Sequence, residues 1–164
     1  MTQFSPLQYS VRSRVAGIII HNDSILLIRR KKNQKEFFVL PGGGIEAQES
    51  PKMAIKREIL EETSINVTPG SLIYSIQYDN DASQDYFICR YVDGEPALGD
   101  YNEAAEMRQG GPNQYFPEWQ PLAALPRLTL YPLEVRDWLI EDLKNNFTHT
   151  PRQAYIRVSD LRQN

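Results

Sequence analysis

Between residues 41 and 65 the chain gathers the residue types that handle phosphate and metal ions. A glycine run, Pro41-Gly42-Gly43-Gly44-Ile45-Glu46, comes shortly before a segment carrying Arg57, Glu58, Glu61 and Glu62, with Glu49 between them. Ser50 suits an N-cap and Pro51 a first helical position, where its missing N–H costs nothing, so the spacing predicts a helix over 51–63. At 100° per residue, Met53, Ile55, Ile59 and Leu60 fall on one arc, while Arg57, Glu58, Glu61 and Glu62 sweep the other. Glu58 stands three residues before Glu61 and four before Glu62, spacings at which like charges repel and destabilise an isolated helix. A divalent cation is the natural compensation, because several oxygen donors converging on one point suit Mg2+ or Mn2+ better than a softer metal. Arg57, four before Glu61, can hold one carboxylate through its planar fork. Glycines let backbone amides and carbonyls come close to a metal or a phosphate. Taken alone, the helix also fits a plain solvated face, with Lys52 and Lys56 intruding on its apolar arc; the glycine run shifts the balance toward a site.

Gly43, five residues, Glu49, seven residues, and then Arg57-Glu58-Ile59-Leu60-Glu61-Glu62-Thr63-Ser64-Ile65 resembles the Nudix box, G-x5-E-x7-R-E-U-x-E-E-x-G-U with U aliphatic. Pro41-Gly42 leads in as the family commonly has it, and the one departure is Ser64 in place of glycine. That position falls just past the helix end, where a left-handed residue closes the terminus. A serine there is expected to cost about 1 kcal/mol, and Ser64→Gly to raise stability slightly with little effect on turnover.

The resemblance implies hydrolysis of a nucleoside diphosphate linked to another moiety, with Mg2+ or Mn2+ as cofactor. It implies Glu58 and Glu62 as principal metal ligands, with Glu61 and the Gly42 carbonyl beside them, and Arg57 and Glu49 as an orienting pair. The catalytic set is then Arg57, Glu58, Glu61 and Glu49. The general base varies within the family and lies outside the box in some members; here Glu103 and Glu106 are candidates, against a plain surface-loop reading. Family members are often homodimers. The competing class is a non-catalytic nucleotide-binding or sensing domain, for which loss of box glutamates is the expected sign, and none is lost.

Around this segment the chain reads as alternating strands and helices. Val11 to Ile20 and Ser24 to Arg30, joined at His21-Asn22-Asp23, form a predicted antiparallel pair. Glu36 to Leu40 is a further strand, stopped by Pro41 and the glycines, which read as a flexible turn. Ser71 to Tyr78 and Gln84 to Val92 make a second pair, Tyr115 to Gln120 a short strand, and Leu133 to Asn146 a second amphipathic helix. Tyr155 to Val158 fits an edge strand or a subunit contact equally well. This order implies an α/β fold with a mixed β-sheet between helices, the α/β/α sandwich of the Nudix family, as a single domain over 1–164 with its core at about 11–146 and a tail at 147–164.

The basic run Arg29-Arg30-Lys31-Lys32 reads first as a solvated strand end, yet alternation turns one of Arg29 and Arg30 to each face, and Arg29 is taken as the candidate phosphate contact. Asn113-Gln114-Tyr115-Phe116-Pro117-Glu118-Trp119 resembles a stretch of some MutT-type Nudix proteins, in which Tyr115 and Trp119 either stack a base or pack the core. The leading substrate expectation is a nucleoside triphosphate, oxidised ones included.

The chain has 164 residues, enough for a core that buries roughly 70% of the unfolded surface without disulfide or structural metal. Its 18 Lys and Arg against 21 Asp and Glu give a net charge of −3, which argues against general binding to nucleic-acid polymers or anionic membranes. A lone Cys89 in an apolar-alternating stretch reads as a small buried hydrophobe. The first residues lack an apolar targeting segment, and no run approaches the ~20 apolar residues of a membrane span, so a cytoplasmic location is expected.

Overall fold

The Val/Ile-rich opening forms β1 (Ser13–His21), which turns through Asn22 and Asp23, both at positive φ, into β2 (Ser24–Lys32). The computed structural model describes residues 13–99, 112–148 and 151–163. A second tight turn, at Asn33 and Gln34, leads into β3 (Lys35–Val39). The three glycines, expected as a flexible turn, instead form a short strand, β4 (Gly42–Gly44), antiparallel to β1 with Val15 opposite Gly43 and Ala16 opposite Gly42. A methyl group at Gly42 would collide with the Val15 carbonyl and the Ala16 Cα. The missing side chain is what allows these two backbones to lie so close.

Helix α1 (Pro51–Thr63) starts where predicted, the Ser50 Oγ accepting a hydrogen bond from the Met53 N–H at 3.2 Å. Its buried face is Ala54, Ile55, Ile59 and Thr63. Met53 and Leu60, assigned to the apolar arc from sequence, are 59% and 44% exposed. The buried stripe is thus rotated, and at 100° per residue Glu58 and Glu62 fall within it, between Ala54 and Ile55, instead of standing opposite. Ser64 closes the helix at φ 61°, its N–H donating to the Leu60 carbonyl.

The remaining elements are β5 (Asn66–Tyr78), β6 (Ser83–Asp93), β7 (Asn113–Pro121), β8 (Leu130–Tyr131), α2 (Leu133–Asp142) and β9 (Arg152–Ile156). β5 begins at Asn66, not Ser71, because the strand carries through Pro69 and Gly70 with register shifts against β6; these residues bend the ladder without ending it. α2 stops at Asp142, and Leu143–Asn145 continues as a 3-10 turn.

The strand order is β8-β3-β2-β1-β6-β5-β9, with β4 on β1 and β7 on β2. β1–β6, β3–β8 and β5–β9 are parallel and the other pairs antiparallel. Alternation along β1 sends Val15 and Ile19 to a cluster with Ile55 and Ile59 of α1, and Ala16 and Ile18 to a cluster with Val135 and Leu139 of α2. The mixed sheet between helices is therefore as expected. Cys89 is 3% exposed within the α1-side cluster, and burial pushes its thiol up to about 12, so it packs as a small hydrophobe.

The last segment forms an edge strand: β9 runs parallel to β5 with Tyr74 opposite Arg152 and Tyr78 opposite Ile156. Arg152 pairs with Asp142, which is fully buried at the end of α2 and also accepts from the Tyr74 hydroxyl at 2.8 Å. Beyond the strand, the Val158 N–H donates to Asp79 Oδ1 at 3.0 Å. β9 is thus fastened on either side. Among the described residues no helix is long and apolar enough to cross a membrane.

Candidate active site

Arg57 is the hub of the acidic helix. Its Nε and one terminal nitrogen each donate to Glu49 at 2.8 Å, a bidentate pair, and the same terminal nitrogen reaches the Gly44 carbonyl at 3.0 Å. The other terminal nitrogen donates to Glu58 at 2.8 Å and to Glu61 at 3.4 Å. The repulsion expected between Glu58 and Glu61 is thus compensated inside the chain, with the loop residue Glu49 locking the guanidinium in place. Hydrogen bonding to Arg57 holds the Glu49 carboxyl below its ordinary value, and the same bond raises Arg57 further. Glu58 moves the other way: burial, outweighing Arg57, pushes its carboxyl up.

β4 sets the other side of the site. A Cβ at Gly43 would fall on the Glu58 carboxylate, so the bare backbone is what leaves that group room. The Gly42 N–H donates to Glu62 Oε2 at 2.9 Å, tying the last box glutamate to the same strand.

From Gly42 and Glu62 a cavity of about 440 Å3 extends between the sheet and the start of α2, its walls including Arg14, Arg30, Tyr86 and Tyr115. Arg30, not Arg29, is the arginine that faces it. The Arg30 guanidinium lies 4.5 Å from the Tyr115 ring centre and donates to the Tyr115 hydroxyl at 2.8 Å. Arg29 points to the opposite face, where Glu118 takes two of its nitrogens at 3.1 and 3.3 Å and Phe116 lies beneath it at 4.4 Å. Strand alternation made this a choice between two residues; only the pairing of β2 with β7 decides it.

Tyr115 therefore meets the cavity and Trp119 does not: Trp119 packs with His21 and Tyr91 at ring separations of 6.0 and 5.8 Å, against the α1-side core. Glu103 and Glu106 lie outside the described residues. Arg14, Gln84 and Tyr86 were not singled out from the sequence, although Arg14 and Gln84 stand opposite each other on β1 and β6. Their signal was the period-two pattern of those strands, unreadable for function until the two strands were known to be neighbours.

The NUDIX domain family matches residues 11–139. The chain belongs to the Nudix hydrolase family. An ADP-ribose pyrophosphatase of Methanocaldococcus jannaschii is 40% identical over 100 residues, 57% of this Nudix chain and 59% of that protein, so the match spans under two thirds of the relative. A Bacillus subtilis protein provisionally named 8-oxo-dGTP diphosphatase is 30% identical over 132 residues, 79% of this chain and 78% of its own. A solved MutT structure, from a study of the Aliivibrio salmonicida and Vibrio cholerae proteins, is 28% identical with a TM-score of 0.58 over 79% of this chain and 95% of that one. A Nudix hydrolase of Nitrosomonas europaea, at 18% identity, shares the fold with a TM-score of 0.64 over 91% and 80%.

Nudix hydrolases generally use divalent metal ions, and the donors here fit one. Glu58, Glu61 and Glu62 are hard oxygen donors on one side of α1, and the missing side chain at Gly43 is what lets the Glu58 carboxylate lie against β4. Among the described residues no three acidic, imidazole or thiol groups are drawn together around a single point; Arg57 stands among the carboxylates instead.

Proposed function

We propose that this Nudix hydrolase cleaves the diphosphate bond of a nucleoside diphosphate linked to another moiety, with nucleoside triphosphates, oxidised ones included, as the leading substrates. The observation that carries the reading is the Arg57 clamp: one guanidinium holds Glu49, Glu58 and Glu61 beside Gly43, next to a cavity that opens at Glu62.

Glu58, Glu61 and Glu62, with the Gly42 carbonyl, would hold Mg2+ or Mn2+. Such a cation would supply charge to neutralise the diphosphate oxygens and would lower the pKa of the attacking water. The chain's own work is positional. Glu49 fixes Arg57, Arg57 holds the Glu58 and Glu61 side chains, and the Gly42 N–H holds Glu62. Arg30 and Tyr115 face the cavity and supply a positive charge and an aromatic face to the substrate's remainder. Arg29 and Trp119 are left to packing roles by their partners, and Glu103 or Glu106 stays the proposal for a general base outside the box.

The test is hydrolysis of a panel with Mg2+ that includes nucleoside triphosphates, 8-oxo-dGTP and ADP-ribose, the last two prompted by the names of the relatives. Phosphate release after coupling to a pyrophosphatase reports triphosphate cleavage, and chromatography of AMP reports ADP-ribose cleavage. Turnover on at least one compound is expected. Tight nucleotide binding with no turnover on any of them would instead make the chain a binding module.

A further inference from the structure

One row of the sheet runs Gly44, Arg14, Gln84, Ile76 and Ala154, on β4, β1, β6, β5 and β9 in turn. Four strand spacings of about 4.8 Å put β9 up to about 19 Å from β4. The cavity follows this path, from Gly42 and Glu62 past Arg14 and Gln84 to Tyr78 and Ile156, so the box stands at one end and the C-terminal segment at the other. Asp79 clasps that segment twice: its N–H donates to the Ile156 carbonyl at 3.3 Å, and its Oδ1 accepts from the Val158 N–H at 3.0 Å. Asp160 and Leu161 follow directly in the 3-10 turn Val158–Gln163, and both line the cavity.

Charge changes sign along the same path. Arg14 lies opposite Gly44 at the box end, where its charge acts on Glu58. At the far end Asp160 brings a carboxylate, and Glu134, at the start of α2, brings another whose charge acts on Tyr78 beside Ile156. Glu36, Glu118 and Glu141 are each paired with an arginine, whereas among the described residues no ion pair takes up Glu134 or Asp160. Glu134 also suits the dipole at the start of α2, so Asp160 is the cleaner probe of what these charges do for a ligand. With the diphosphate at the box, the nucleoside spans the cavity, and a phosphate on its sugar adds negative charge nearer to Asp160. Resting on the diphosphate-hydrolase reading above, we propose that the C-terminal segment is an electrostatic filter: Asp160, backed by Glu134, rejects nucleotides that carry a further phosphate on the sugar. The substrate is then a free mononucleotide derivative and not the 5′ end of a nucleic-acid chain, whose first sugar carries a phosphodiester. Like charges brought together disfavour the wrong ligand without tightening the right one. Asp160 lies beyond residue 139, where the family match ends, so this selection belongs to this chain and not to the box.

Steady-state hydrolysis with Mg2+ compares the best of ATP, GTP, CTP and UTP with the same nucleotide carrying a 3′-phosphate, for the wild type, Asp160→Asn and Asp160→Glu. The wild type should prefer the unmodified nucleotide by at least about tenfold in kcat/KM, carried by KM. Asp160→Asn should cut that preference about threefold and Asp160→Glu should keep it. Raising KCl to about 0.5 M should cut it in the wild type, because exposed charges are screened. A wall that acts by shape alone would respond to neither the amide nor the salt. Equal kcat/KM on both nucleotides in the wild type, or a preference that Asp160→Asn and salt leave unchanged, overturns the proposal. If the wild type hydrolyses none of the four, the triphosphatase expectation fails separately, and calorimetric titration with AMP, GMP, CMP, UMP and their 3′,5′-bisphosphates decides the filter. About tenfold tighter binding of the monophosphate, with the gap narrowed in Asp160→Asn, upholds it; equal binding, or no binding to the wild type, overturns it.

Discussion

Three consecutive glycines meet three different surroundings. Gly42 faces backbone atoms of Val15 and Ala16, Gly43 faces the Glu58 carboxylate, and Gly44 faces open space. A side chain at 42 must therefore push strands apart, whereas one at 43 needs only to displace the flexible end of a glutamate. Gly43→Ala is expected to fold with nearly the wild-type melting temperature while losing on the order of 10²-fold in kcat, the scale of a catalytic group shifted by about 1 Å. Circular-dichroism melting beside steady-state rates checks both halves, and a fully active variant would show that the position of Glu58 is not limiting.

Glu49 and Glu58 respond to pH with opposite signs. Glu49, 11% exposed and held low by Arg57, stabilises the fold when ionised. Its contribution is present at neutral pH and is lost as acid protonates it, below the ordinary glutamate range near about pH 4.3. Glu58, raised by burial, favours the folded state when protonated, a contribution lost as the pH rises through its raised value. Glu49→Gln should cost about 1–2 kcal/mol in urea denaturation at pH 7, and that difference should shrink by pH 3. A difference constant with pH would mean that the Arg57–Glu49 charge pair is not what stabilises this loop.

At the scale of elements, the first hairpin and the start of α1 were legible because their signals are local: positive-φ Asn22 and Asp23, a serine cap, and a proline in the first turn. The rotation of the helix face was not legible, since whether Leu60 or Thr63 goes inward depends on where β1 and β5 lie. β4 was misread as a turn for the same reason. Glycine at 42 signals close approach as well as flexibility, and only the neighbour distinguishes them.

Ser64 illustrates how a second contact alters a local estimate. Its left-handed backbone costs about 1 kcal/mol relative to glycine, but its Oγ donates to the Ala97 carbonyl at 3.1 Å, an interaction of similar size. The slight stabilisation expected of Ser64→Gly therefore shrinks to a net change under about 0.5 kcal/mol. Chemical denaturation measures this, and a gain above about 1 kcal/mol would show that the hydroxyl contributes nothing.

At the scale of the whole molecule, the box could be read from one stretch of sequence, whereas the cavity beside it could not. Arg14, Arg30, Tyr86, Tyr115 and Ile156 come from five strands. Their meeting depends on the parallel pairings β1–β6 and β5–β9 and on β7 adding to β2, joins between segments far apart in the chain. The tail, uncertain in sequence, becomes a wall because Asp142 and Asp79 fasten it on either side of β9. A net charge of −3 gives no long-range pull on a polyphosphate. Under the proposed function, attraction comes from the local arrangement: Arg14 and Arg30 in the cavity, and cations that the box glutamates would recruit.

The central claim is that these glutamates perform metal-assisted hydrolysis, and Glu62→Gln tests it most directly. The substitution keeps an oxygen to accept the Gly42 N–H, so the fold and melting temperature should hold. Turnover on the best substrate of the panel with Mg2+ should fall by at least about two orders of magnitude; a rate near that of the wild type would contradict the assignment.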